Sequence, residues 1–288
     1  MIAGCATYQN KVLQARNHLA DGQSQTAVSI LESHANEEGK DQVLYMLDYG
    51  LALHEAGDLK KSNDILISVD RLAEVKDYIS LSRQAGSLFL NESLIQYKSE
   101  RFENLLINAY LALNFTLMND FENALVECRR IDEKLNKSRL EGENKSKNFY
   151  ARYLSAMIWE AEKNWDSTYI DYSNAYKVNP TMKYLRSDLI RSAWRARRYK
   201  DLKRWQKKFP EQNLEKIKKE VVEKGELVFI YQQGWIPRKY PRPENFRFPY
   251  LVRQPAGFRT AYLEVGGIRQ EETEMLYRVG DEAIRTLN

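Results

Sequence analysis

Up to residue 224 the apolar positions recur at the three- and four-residue spacing of amphipathic helices, broken at intervals by short polar turns. The turns are Asp21-Gly22-Gln23, Ala56-Gly57-Asp58-Leu59, Met118-Asn119-Asp120-Phe121, Lys163-Asn164-Trp165 and Arg197-Arg198-Tyr199. A second amphipathic run follows each one, so the pattern predicts a series of helix–turn–helix units. Counted from Ser24, Leu59, Phe121, Trp165 and Tyr199, the units are 35, 62, 44 and 34 residues apart. Residues 71–104 break the repeat but keep helical spacing through Leu81, Ala85, Leu88 and Phe89, which predicts an inserted helical pair. Residues 141–148 read as a polar connection. The character changes beyond residue 224. Leu227-Val228-Phe229-Ile230-Tyr231 is a β-rich apolar run that reads as a buried strand ending at Gln232-Gln233-Gly234. Residues 246–252 and 260–265 alternate loosely and predict further strands, with Gly266-Gly267 as a turn. Residues 271–287 place Leu276, Val279, Ala283, Ile284 and Leu287 on one helical face.

The clearest unit spans residues 149–180: Ala156 in its first helix, Trp165 after the turn, Tyr172 and Ala175 in its second helix, and Pro180 as the stop. A second unit offers Gly50, Leu53, Gly57, Leu59 and Leu66, and a third Ala112, Phe115, Phe121, Ala124 and Ile131. Small residues let two helices approach closely, and large ones fill the space between them. Trp165 and Tyr172 are accordingly expected between the helices of their unit. These units resemble tetratricopeptide repeats, whose period is about 34 residues. The fold expected is mainly α: a tetratricopeptide-like helical superhelix over residues 8–224, then a small α+β module over 225–288, with residues 1–7 as an anchor and linker.

The resemblance also implies a concave groove lined by the first helix of each unit. Carried onto this chain, its positions are Tyr150, Tyr153, Met157, Glu160 and Ala161 in one unit, and Tyr184, Ser187, Arg191, Trp194 and Arg195 in the next. The candidate partner-binding groove is therefore Tyr150, Tyr153, Met157, Tyr184, Arg191, Trp194 and Arg195. Tyr153 and Met157 stand where chaperone-tail-binding relatives carry clamp residues, so that specificity is not implied. An aromatic groove with Arg at one end suits an extended segment or a helix with apolar anchors. The alternative is that later helices fill the groove and make these aromatics core.

Composition narrows the class. At 43% hydrophobic and 29% charged, the 288 residues are those of a folded globular chain. Two cysteines, Cys5 and Cys128, exclude a disulfide scaffold and a cysteine-built zinc site. No apolar run approaches the roughly 18 residues needed to span a bilayer. The net charge of +4 hides an asymmetry, since residues 186–208 hold ten basic side chains against Asp188 and Asp201. Residues 238–259 add six more basic residues against Glu244. Such a distribution fits an acidic protein partner, an anionic lipid surface or a solvated face.

The opening Ile2-Ala3-Gly4-Cys5-Ala6 resembles the lipobox of bacterial lipoproteins. In that family a diacylglycerol is attached to the cysteine sulfur and the chain is cut just before it. The resemblance implies lipidation at Cys5, a leader upstream of Met1, and, with Ala6 after the cysteine, the periplasmic face of the outer membrane. That compartment excludes nucleic acid as a partner. The junction Gly-Glu-Leu-Val-Phe-Ile-Tyr-Gln-Gln-Gly-Trp-Ile-Pro-Arg-Lys, residues 225–239, resembles the segment after the helical repeats in a family of envelope lipoproteins. That likeness implies envelope partners, among them curli-secretion-like or penicillin-binding-protein-activator-like lipoproteins. Five of the seven prolines fall between Pro237 and Pro255. They predict an ordered but non-regular arm with Trp235 and Tyr240 as anchors and Arg238, Lys239 and Arg242 as its charge. Packing of Trp235 back on the helices is the alternative.

Motifs for chemistry are missing from the sequence. It has no Gly-rich phosphate loop, no Gly-x-Ser-x-Gly and no His-Glu-x-x-His. His18, His34 and His54 all fall in the first two units and read as ordinary helix positions; Cys128 reads as a buried thiol. The expectation is a non-enzymatic envelope scaffold without metal or cofactor. Its alternatives are a cytosolic repeat adaptor with an ordinary Cys5, a regulator of secretion or peptidoglycan synthesis, and an envelope enzyme with its site in the α+β end.

Overall fold

A computed structural model describes residues 3–39, 41–84, 101–140, 148–234, 238–241, 249–252 and 261–273. The described residues hold eleven helices: α1 (Ala3–Ala20), α2 (Ser24–Asn36), α3 (Gln42–Glu55), α4 (Leu59–Gln84), α5 (Arg101–Leu117), α6 (Phe121–Leu140), α7 (Phe149–Ala161), α8 (Trp165–Val178), α9 (Leu185–Arg195), α10 (Tyr199–Lys208) and α11 (Leu214–Glu223). Four strands follow: β1 (Arg238–Pro241), β2 (Pro249–Val252), β3 (Tyr262–Val265) and β4 (Ile268–Glu272). The chain divides into two compact units, Met1–Ile131 and Asp132–Asn288, with the division inside α6.

Five hairpins share one turn. Gly22, Gly57, Asn119, Lys163 and Arg197 each follow a first helix with a left-handed φ, between 54° and 79°. The next amide then bonds back to the carbonyl five residues earlier: Gln23 to His18, Asp58 to Leu53, Asp120 to Phe115, Asn164 to Trp159 and Arg198 to Ala193, at 2.7–3.0 Å. That is the Schellman ending, which satisfies carbonyls the helix leaves open. Lys163 and Arg197 hold the left-handed conformation with a Cβ present, which is unfavourable by roughly 1–2 kcal/mol. On the far side of the turn, the side chains of Asp58, Asp120 and Asn164 accept the amides of Lys61, Asn123 and Ser167 and start the second helix.

Four of the hairpins also share a buried register; the fifth has Ile190, Leu202 and Gln206 at the same three positions. Seven residues before the turn residue stand Ala15, Gly50, Ala112 and Ala156, all buried. Five residues after it stand Ala27, Ser62, Ala124 and Thr168, each fully inaccessible. Four further on come Leu31, Leu66, Cys128 and Tyr172, so Cys128 occupies the position of a core filler. At Gly50 an added Cβ would lie 2.8 Å from Leu66 Cδ2, which shows how closely α3 and α4 approach. Tyr172, Ala156 and Ala175 lie between the helices as their pattern implies, but Trp165 is only half-buried. It opens α8 at the rim of the hairpin, where Arg195 covers its ring at 5.1 Å.

In the first unit α1 to α5 pack in succession, each on the next. Their core runs from Val12 and Leu31 through Tyr49 and Leu53 to Leu66 and Leu111. Buried amides tie α3 to α6. Asn114 Nδ2 donates to Ser62 Oγ and Asn63 Oδ1 at 3.0 and 2.9 Å, while its Oδ1 meets His54 Nδ1 at 2.5 Å. Asn108 Nδ2 donates to Glu127 Oε2 at 2.7 Å and Asp70 Oδ2 at 3.3 Å, and Arg130 donates to the same Asp70 oxygen at 3.0 Å. The second unit packs α7 on α8, α8 on α9, and α9 on both α10 and α11, around Tyr153, Tyr172, Leu189, Trp205 and Ile217.

The structure differs from the sequence reading in four places. Residues 71–84 continue α4 rather than opening an inserted helix, and 85–100 lie outside the described residues. Residues 227–231 form no strand: they are irregular and unpaired, and all but the partly buried Ile230 are exposed, with Leu227 76% accessible. β-propensity alone does not bury a run that has no neighbouring strand to pair with. Part of the proline-rich arm is regular, since β1 pairs antiparallel with β2 through Lys239↔Leu251 and Tyr240↔Tyr250. The ladder tolerates its prolines because Pro241 and Pro249 face each other in its last pair. Finally, residues 271–272 belong to β4, and the rest of the helix expected over 271–287 lies outside the described residues apart from Thr273. β3 and β4 do meet at Gly266-Gly267, both with positive φ as a two-residue hairpin requires.

Two substitutions test this register in opposite directions. Gly50→Ala should destabilise the chain by about 1–3 kcal/mol, because the methyl has no room against Leu66. Lys163→Gly should raise stability by up to about 1 kcal/mol by relieving the left-handed backbone. Thermal or denaturant melts of the two variants against the parent read both signs.

Candidate functional site

The groove residues of the second unit converge on one polar cluster. α7 supplies Tyr153 and Glu160, two turns apart on one face; α8 supplies Tyr172; and α9 supplies Asp188 and Arg191, one turn apart. Tyr153 donates its phenolic proton to Asp188 Oδ2 at 2.8 Å, and Tyr172 donates to Glu160 Oε2 at 2.7 Å. Arg191 lies between the two carboxylates. Its Nη2 donates to Glu160 Oε2 at 2.9 Å and Asp188 Oδ1 at 3.1 Å, and its Nε stands 2.7 Å from Glu160 Oε1. A third carboxylate, Glu226 in the irregular run after α11, reaches the same Nη2 at 3.3 Å.

One guanidinium thus faces three carboxylates in a largely buried setting. Burial pushes the Asp188 carboxyl up to about 7, although Arg191 and the Tyr153 hydroxyl act to hold it down. Burial, together with the Asp188 charge, also raises the Tyr153 phenol, so that it serves as a donor. Burial alone would weaken the charge on Arg191, but Asp188 and Glu160 outweigh it and hold the guanidinium protonated. Across the unit Asp171 shows the same effect: burial and then the charge of Asp132 push it up to about 7 against the pull of Arg152.

The other expected groove residues are spread around this cluster. Tyr150 is partly buried and its phenol is pushed up to about 12 by burial. Met157 and Trp194 are partly buried against the core, and α11 packs on α9 with Lys218 above the Trp194 ring at 5.8 Å. Arg195 covers Trp194 as well as Trp165, at 4.7 and 5.1 Å. Tyr184 is half-exposed just before α9, with Lys183 over its ring at 5.5 Å. Tyr153, Met157 and Trp194 thus belong to the packing of the unit, and Arg191 is engaged by its own chain.

In the arm, Tyr240 faces Tyr250 across the β1–β2 ladder at 6.4 Å. Trp235 and Arg242 lie outside the described residues, as do the side chains of Arg238 and Lys239, whose backbone forms β1. The backbone of Cys5 is in α1, and its side chain lies outside the described ones.

The sequence reading missed Asp188 and Glu226 as members of the cluster and took Tyr172 only as packing. The available signals were the i, i+3 spacing of Asp188 and Arg191 and an acid standing inside a basic run. The histidines are apart: His18 meets Gln23, His34 stacks on Tyr45 and His54 meets Asn114. Among the described residues no group of three His, Cys, Asp or Glu side chains is placed to hold a metal ion. All polar contacts of the cluster are carboxylate, guanidinium and phenol pairs.

No known family matches the chain by sequence, and neither does any curated protein. Solved structures of helical-repeat proteins are similar at low identity. MamA from Desulfovibrio magneticus RS-1, residue 41 to its end, is 14% identical, with 73% of this chain and 96% of that one covered at a TM-score of 0.43. BtubC from P. vanneervenii is 12% identical over 81% and 88%, with a TM-score of 0.47. A tetratricopeptide repeat protein from Parabacteroides merdae is 13% identical over 77% and 81%, with a TM-score of 0.46. The assignment of a tetratricopeptide-like repeat rests on the shared turns and buried register of this chain's own hairpins.

The pH dependence of stability follows from the two raised carboxyls. Asp188 and Asp171 take up protons more readily folded than unfolded, so their contribution is fully present below the ordinary carboxylate pKa of about 4 and is lost as pH rises through about 7. Between those limits stability should fall with rising pH by about 1 kcal/mol per unit for each group. Asp171→Asn should flatten the slope of melting temperature against pH. An unchanged slope would mean that Asp171 titrates normally.

Proposed function

We propose that this chain is a lipid-anchored scaffold on the periplasmic face of the bacterial outer membrane, acting by binding rather than catalysis. Its helical hairpins hold extended segments of partner proteins of the envelope. The observation that carries this reading is the contact of Glu226 with Arg191: a carboxylate on the irregular chain after α11 rests on a helix that lines the expected groove. A carboxylate from the irregular chain after α11 is what this face already receives in cis. A partner segment of the same character would compete for the same guanidinium.

The tether rests on Ile2-Ala3-Gly4-Cys5-Ala6, and the envelope partners rest on the likeness of the junction at residues 225–239. The partners expected are other envelope lipoproteins, of the curli-secretion-like or penicillin-binding-protein-activator-like kind. Through them the chain would act on secretion or on peptidoglycan synthesis.

Two experiments on the full-length precursor separate tether from scaffold. Labelled palmitate should enter the parent and not Cys5→Ser, and the variant should move from the membrane to the soluble fraction. Absence of label in the parent would remove the anchor and favour a cytosolic adaptor. A photoreactive residue at position 184 should crosslink a distinct envelope protein, and Glu226→Gln should increase the yield by freeing Arg191. If Glu226→Gln leaves the yield unchanged, the Arg191 face is not where partners bind.

A further inference from the structure

Helix α10 has two opposite faces. Leu202, Trp205 and the following Phe209 are buried in the core of the second unit. Lys200, Lys203 and Lys207 are exposed. At 100° per residue the three lysines fall within about 60° of one another and lie diametrically opposite the buried set. Tyr199, 61% accessible, flanks them at the start of the helix.

Among the described residues, most other cations of the basic run are held by an acid or an aromatic ring; these three lysines are not, nor is Arg197 in the turn before α10. Arg186 pairs with Glu211, Arg191 with Glu160 and Asp188, and Arg198 with Asp166. Arg204 takes Asp201, the only acid on α10. Lys208 lies over the Tyr176 ring at 4.8 Å. On α11 and just after it, Lys218, Lys219 and Lys224 each pair with a glutamate three or four residues away. Lys200, Lys203 and Lys207 have no ion pair, hydrogen bond or ring contact.

The arrangement works against the helix that carries it. Lys200 and Lys203 are i, i+3 neighbours and Lys203 and Lys207 are i, i+4 neighbours, so like charges repel along the crest. Lys200 also sits in the first turn, where the helix dipole disfavours a cation. An external anionic surface would remove both penalties. The crest is convex and one helix wide. An extended acidic peptide binds best in a groove, whereas a plane of headgroups can approach all three ammonium groups together, each within a Debye length. Tyrosine is a side chain that settles at the boundary between headgroups and acyl chains.

We propose that the Lys200–Lys203–Lys207 crest of α10, with Tyr199 beside it, is a docking surface for a phospholipid bilayer carrying anionic headgroups. The contact is electrostatic and lies in the second unit. It does not rest on acylation of Cys5.

The test uses the full chain as Cys5→Ser, so that no acyl chain contributes and failure of the tether cannot be confused with failure of the crest. It is sedimented with phosphatidylcholine vesicles, with or without about 30 mol% phosphatidylglycerol. Binding to the anionic vesicles should be at least about tenfold tighter and should collapse at about 0.5 M salt. Lys200→Gln, Lys203→Gln and Lys207→Gln together should reduce it at least about tenfold, and Lys200→Gln or Lys207→Gln alone about threefold. The same three changes at Lys218, Lys219 and Lys224 should alter it less than about threefold, which guards against a pure net-charge effect. Unchanged melting curves confirm that the exposed substitutions leave the fold intact. Equal binding to neutral and anionic vesicles would overturn the proposal, as would full binding by the crest variants. Crest-dependent binding of soluble poly-glutamate without vesicle binding would overturn it in favour of an acidic protein partner.

Discussion

The close approach of paired helices is the constraint on which the rest of this structure depends. Two helices can come together only where the facing positions are small, and the hairpins place Ala15, Gly50, Ala112 and Ala156 opposite Ala27, Ser62, Ala124 and Thr168. Once the backbones meet there, the next turn of the second helix faces a gap of fixed size, which Leu31, Leu66, Cys128 and Tyr172 fill. The left-handed turn residue sets the distance from one helix to the other and so keeps both sets in register. A reversal of fixed length and a contact of fixed closeness together give the first four hairpins one register, whereas the fifth places Ile190 and Leu202 at the small positions. They also turn a constant face of each first helix away from its partner.

That face carries the chemistry of the second unit. Tyr153 and Glu160 project from α7 as Asp188 and Arg191 do from α9, and the packing of α8 brings Tyr172 to the same place. Water is largely excluded, so the phenols and the guanidinium must satisfy the carboxylates, and burial pushes the Asp188 carboxyl up to about 7. Removing one member of such a cluster leaves another buried group without its partner, which costs more than the pair contributes. Glu226 is the member that comes from irregular chain.

Much of the hairpin architecture was legible in the sequence because its signals are local. Gly57 and Asn119 mark turns by their tolerance of left-handed backbone, and Ala156 and Ala112 mark close contacts by their size. Lys163 and Arg197 were legible as turns only through the spacing of their neighbours, since neither residue favours that backbone. The fate of residues 227–231 was not legible. Their alternation and β-branching state that a strand is possible, but whether one forms depends on a partner strand elsewhere in the chain. The expected groove residues fall on α7 and α9, with Tyr184 just before α9, but the burial of several of them depends on α8 and α11, which no local pattern reports. The basic run illustrates the same limit. Ten cations look alike in sequence, whereas in the structure most hold carboxylates or aromatic rings and a few on α10 face solvent alone.

Hydrogen exchange on the intact native chain tests this account most directly. Amides around Gly50, Ala112 and Ala156 should be among the slowest, because they lie in helices whose backbones meet. Residues 227–231 should exchange within seconds, because their amides have no hydrogen-bond partner even though Glu226 holds the segment on α9. Protection of residues 227–231 comparable to the helices would contradict the account, since it would mean a paired strand where the structure has an open segment resting on Arg191.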